Sequence, residues 1–186
     1  MKRHIAILLL AAGCGGSARD QSDAGADTTR APVAWTVRPD SFGPIPLGVP
    51  LAQAASAIRD SVVTNFAASE TCTHWTAPSM PAGTRLMILR DSVAAPLQIA
   101  RAEVDSAGVL TAEGAGVGDP ESRVLELYSG RVVVQPHKYT GPVGHYLIVA
   151  SPRDSMYRIV FETDGQRVVR YRAGRRPAVD FVEGCS

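Results

Sequence analysis

Residues 111–130 read TAEGAGVGDPESRVLELYSG, and residues 42–66 read FGPIPLGVPLAQAASAIRDSVVTNF. Each carries a Gly-x-Pro step, Gly48-Val49-Pro50 or Gly118-Asp119-Pro120, and then a helical pattern. Proline suits the first helical position because its missing N–H would have no partner there. Asp119 offers the short carboxylate expected of an N-cap. In the first stretch Leu51, Ala55, Ile58, Val62 and Phe66 recur every three or four residues, one apolar face. In the second, Val117, Val124 and Tyr128 (or Leu127) line the inner side.

Each helical pattern precedes strand signals. After the first come Leu86 to Leu89 and Leu97 to Val104. After the second come Val132 to Tyr139, His145 to Ala150, Tyr157 to Glu162 and Arg167 to Arg172. Asp164-Gly165 predicts a two-residue hairpin turn with Glu162 opposite Arg167. The expected fold class is α+β: two related units, about 40–110 and 111–186, each a helix followed by an antiparallel meander. This plan resembles the beta-lactamase-inhibitor-protein fold and the small outer-membrane-assembly lipoproteins, through GPIPLGVPLAQA and GAGVGDPESRVLELY. The resemblance implies a protein-binding sheet face and no catalytic pocket. The second half also resembles uncharacterised secreted bacterial proteins, through HKYTGPVGHYLIV, FETDG and the terminal EGC.

The N-terminus sets the address. Lys2 and Arg3 precede the apolar run Ile5 to Ala12, the layout of a secretory signal and too short to span a bilayer. Ala11-Ala12-Gly13-Cys14 resembles the bacterial lipobox, although that pattern has Leu where Ala11 stands. The resemblance implies cleavage after residue 13 and acylation of Cys14, and Gly15 in place of Asp favours the outer membrane, facing the periplasm. The other reading is an ordinary secretory signal cut nearby. Residues 15–32 lack apolar periodicity and predict a flexible tether, so that 14–34 carries lipid and linker. Residues 35–186 then form one domain.

With Cys14 set aside, Cys72 and Cys185 remain, an even pair in an oxidising compartment, and a disulfide is expected; two buried thiols are the alternative. The formal net charge of +1 falls to about −1 without Lys2 and Arg3, which implies no nucleic-acid partner. No Gly-x-Ser-x-Gly elbow, HExxH or phosphate loop occurs. No cofactor is expected.

The stretch most suited to recognition is QPHKYTGPVGHYL, residues 135–147. If Tyr139 pairs with His145, then His137, Tyr139 and His145 share one sheet face and form a binding patch. Two imidazoles without a third ligand do not make a metal site. In the basic series Arg167, Arg170, Arg172, Arg175 and Arg176, Arg170 and Arg172 alternate with Val169 and Tyr171 as on a half-exposed strand, and the series is expected to be a solvated face. The expected function is a membrane-anchored envelope lipoprotein with a non-catalytic protein- or ligand-binding domain: it contacts the membrane through its lipid and recognises an envelope protein or, on a further reading, a small ligand at the His137–His145 face. The alternatives are a hydrolase inhibitor and, less favoured, a hydrolase.

Overall fold

The structure is a computed structural model that describes residues 34–58 and 71–185. The signal segment, Cys14, the tether and the expected helical positions Val62 and Phe66 lie outside the described residues.

Three two-residue strands come first: β1 (Val37–Arg38), β2 (Ser41–Phe42) and β3 (Ile45–Pro46), paired antiparallel in that order. Helix α1 (Leu51–Ile58) follows, then β4 (Cys72–Trp75), β5 (Thr84–Leu89) and β6 (Gln98–Val104). Helix α2 (Glu121–Leu127) leads into β7 (Val132–Pro136), β8 (His145–Ala150), β9 (Tyr157–Thr163) and β10 (Val168–Arg175). A 3-10 turn, Ala178–Asp180, opens the C-terminal segment. Strands 4 to 10 make one antiparallel sheet in the order β4-β5-β6-β10-β9-β8-β7.

The expectation of an α+β chain built as two helix-plus-meander units is therefore corrected: the chain is mostly β. Among the described residues its helices span eight and seven residues. The last strand, β10, lies between β9 and β6, with Tyr171 opposite Val104 and Ala173 opposite Ala102. That pairing fuses the two expected meanders into a single sheet. The physical cause is side-chain parity: Tyr171 and Ala173 turn to the same face as Val104 and Ala102, and all four enter one core.

That core covers one sheet face with Leu86, Ile88, Ile99, Leu147, Ile159 and Phe161, closed by Val37, Phe42, Ile45 and Val124. Phe161, fully buried, lies 5.8 Å from the Tyr128 ring and 5.3 Å from Tyr171. Burying a side chain of this size contributes about 1.5–3 kcal/mol, and Phe161→Ala would cost about 3–5 kcal/mol because a cavity remains. Trp75 joins this core, on the face away from the disulfide, so the two do not pack together.

Local rules account for two departures in detail. Asp119 does not cap α2: its carboxylate accepts the Gly116 N–H at 2.8 Å, and Pro120 occupies the cap position. At the Asp164-Gly165 turn the Asp164 carboxylate accepts the N–H groups of Gln166 and Arg167. This widens the connection to four residues, pairs Thr163 with Val168, and leaves Val169 as a bulge, so Glu162 meets Arg170 instead of Arg167.

Candidate functional site

The second sheet face is covered by the C-terminal segment. Cys185 is bonded to Cys72 on β4, with Cα atoms 5.3 Å apart, as the cysteine count predicts. Beneath the segment lies a set of charges that includes Arg170 and Arg172, which alternation alone assigned to solvent. Glu103 accepts from Arg85 Nε at 2.5 Å and from Arg101 Nε at 2.8 Å, with His74 at 3.6 Å. Glu162 accepts from Arg172, forms an ion pair with Arg170 at 3.2 Å, and faces His137 at 3.3 Å. Each glutamate thus sits between two guanidiniums and one imidazole. Burial pushes the Glu103 carboxyl up, but Arg101 and Arg85 outweigh that and hold it below its ordinary value.

The arginines also grip the segment. Arg101 Nη1 donates to the carbonyls of Ala178 (2.9 Å) and Phe181 (2.6 Å), and Arg172 Nε donates to Val179 (2.6 Å). A cavity of about 70 Å³ remains beside His74, Arg85, Arg170 and Gly184. Arg85 and Arg170 on its wall already face carboxylates, Asp105 and Glu162. This cluster holds the fold and presents no free charge to a ligand. Arg172, 5% exposed, is the residue sequence reading misplaced; the signal was present only as matched parity with Glu103 and Glu162 on neighbouring strands.

The candidate binding site is the loop 137–144 between β7 and β8. Pro136, without an N–H, ends β7 opposite His145, and the His137 N–H donates to Gly144 at 2.9 Å. Turn bonds inside the loop run from Gly141 N–H to His137 and from Gly144 N–H to Thr140. Glycine is required at 144, where an added Cβ would lie 2.2 Å from Thr140 Oγ1 and 2.8 Å from the Thr163 carbonyl.

His137 organises this loop. Its Nδ1 accepts the N–H groups of Tyr139 (3.2 Å) and Thr140 (3.3 Å), so the ring proton sits on Nε2 and is donated to Glu162. The ring stacks on Tyr146 at 4.5 Å. Tyr139 stands outside, 61% exposed, and its hydroxyl bonds to Glu183 of the C-terminal segment. Lys138 reaches the same carboxylate at 3.2 Å. Hydrogen bonds from Tyr139 and Lys138 hold the Glu183 carboxyl below its ordinary range. Loop, segment and disulfide form one connected brace across the sheet.

His145 does not join them. The observed register sets Pro136, and not Tyr139, opposite His145, a shift of three residues. An odd shift exchanges faces. His145 instead bonds through Nδ1 to Glu121 at the start of α2, at 2.9 Å, while its N–H donates to Thr163. His137 and Tyr139 are brought together, with ring centres 6.1 Å apart; His145 belongs to the opposite face. No group of three or more His, Cys, Asp or Glu among the described residues could hold a metal ion.

Of the ten exposed large apolar side chains among the described residues, two fall within this loop, Tyr139 and Val143, and two more, Val133 and Val134, on the strand before it. A braced backbone presenting exposed aromatic and aliphatic groups suits recognition, because little conformational freedom remains to be lost on binding. The chain matches no family model, no curated protein and no solved structure.

Proposed function

We propose that this chain is a membrane-anchored bacterial envelope lipoprotein whose folded part is a non-catalytic module, binding another envelope protein through the loop 137–144. The observation that carries the reading is the pairing of high exposure with rigidity at Tyr139 and Val143. Tyrosine supplies apolar area and a polar tip at low entropic cost. The anchor rests on Cys14 and the segment before it. Several acyl chains on one cysteine bind a bilayer far more firmly than one, at about 0.8 kcal/mol per buried CH₂.

Two experiments test the two halves of this reading. Cys14→Ser should move the protein from the membrane fraction to the soluble one; retention in the membrane would remove the anchor. A photo-crosslinking residue at Val143 in living cells should capture one dominant envelope protein. An absence of any adduct, with the protein folded and abundant, would end the binding proposal. The same braced loop also suits insertion into the cleft of a hydrolase, and stoichiometric loss of that enzyme's activity would mark the chain as an inhibitor.

A further inference from the structure

We propose that the open edge of β7 pairs antiparallel with the β7 edge of a second copy of this chain, joining two seven-stranded sheets about a two-fold axis at Val134. The inference goes beyond the loop reading, since residues 137–144 lie outside the paired stretch.

The direction of the backbone groups follows from the ladder. β7 is the last strand of the sheet and β8 its neighbour on the inner side. In an antiparallel pair, alternate residues exchange hydrogen bonds with the strand opposite. The His137 N–H donates to Gly144, and the β7–β8 register continues from that pair in single steps. Gln135 and Val133 therefore share the bonded parity, facing Tyr146 and Ile148. Val132, Val134 and Pro136 turn their backbone groups to the open side.

Those groups complement themselves. With Val134 set opposite its own copy, each Val134 donates its N–H to the other and accepts in return. Each Val132 N–H then meets the Pro136 carbonyl of the second copy. The N–H that proline lacks would fall only at the ends of the new ladder, beside water, so the one residue unsuited to a central strand costs little there.

Side chains agree with the same register. It places Val134 against Val134, Val132 against Pro136, and Val133 against Gln135, with no charge anywhere in the five residues. Val133 and Val134 are 57% and 50% exposed, so the contact would remove apolar surface now in water. Sheet edges are usually guarded by lysine, by proline, by inward charges or by a bulge. Over Val132–Gln135 this edge has none of these, and the described bulges lie on β6 and β10. The nearest cations are already engaged: Arg131 leans to Glu113 at 3.7 Å and Lys138 to Glu183. Neutrality matters most at Val134, because a charge on the two-fold axis would face its like directly.

The test is sedimentation equilibrium of the detergent-solubilised full chain across a range of concentration. Wild type should be dimeric. Val134→Lys and Val134→Glu should each weaken dimerisation at least tenfold, since like charges then face each other across the axis. An equimolar mixture of the two variants should recover the dimer as a Lys–Glu pair, a result that loss of folding could not produce. Monomeric wild type, a dimer that persists in either single variant, or a mixture that stays monomeric would each overturn the proposal.

Discussion

His137 and Glu162, 25 residues apart in sequence, meet at 3.3 Å on the sheet face beneath the C-terminal segment. The contact links the exposed loop to the charge cluster, because Glu162 is also the counter-charge of Arg170 and Arg172. Loop order and domain stability thus share one carboxylate.

His137→Ala removes the acceptor of two loop N–H groups. The expected cost is about 1–2 kcal/mol, with faster amide exchange at Tyr139 and Thr140 than at strand positions of β8. Amide exchange followed by NMR reads this directly. Unchanged protection at both amides would show that His137 does not organise the loop.

Glu162→Ala leaves the Arg172 guanidinium buried without its counter-charge, and the predicted loss is about 3–5 kcal/mol. Arg170→Ala, at a side chain 58% exposed, should cost under about 1 kcal/mol. Urea denaturation of the two variants compares them; equal losses would contradict the assignment of Arg172 as the buried partner.

Glu103 makes stability depend on pH. Its folded pKa lies below the unfolded value of about 4.5, so the unfolded chain takes up the proton first. The carboxylate therefore stabilises the fold above about pH 4.5, and the contribution is lost as pH falls through the lower folded value. Glu103→Gln should be less stable than wild type at neutral pH, and the gap should close in acid. Thermal melts that keep the gap constant would rule this linkage out.

Removing the disulfide with Cys72→Ser and Cys185→Ser releases a closure spanning 113 residues. The chain-entropy estimate is about 4–5 kcal/mol. Residues 182–185 should become protease-sensitive before 178–181, because Arg101 and Arg172 still hold the carbonyls of Ala178, Val179 and Phe181. Simultaneous cleavage of both stretches would show that the arginine grip is weak.

The strands from β5 onward were legible because apolar and β-branched residues gather in short runs between turn signals, whereas the two-residue strands β1 to β3 were too short to read. The runs ending at Val104, Ala150 and Glu162 fall within a residue of β6, β8 and β9, and the run Leu86 to Leu89 starts two residues inside β5. β4, CTHW, was missed because four residues with one threonine and one tryptophan carry too little period to stand out. β7 ended early because a proline can finish a ladder without breaking the pattern of side chains before it. The disulfide was countable before it was visible, since only two cysteines remain after Cys14.

Sequence alone therefore determined most of the strand runs from β5 onward and which two cysteines pair, and it singled out residues 135–147 as a candidate for recognition. Tertiary structure alone decided that β10 sits between β6 and β9, that Arg172 is buried against Glu162, and that His137 and His145 face opposite ways. The reason is physical. Alternation is a property of neighbouring residues, whereas register is chosen by long-range pairing, and an odd shift of register carries a side chain from one face of the sheet to the other.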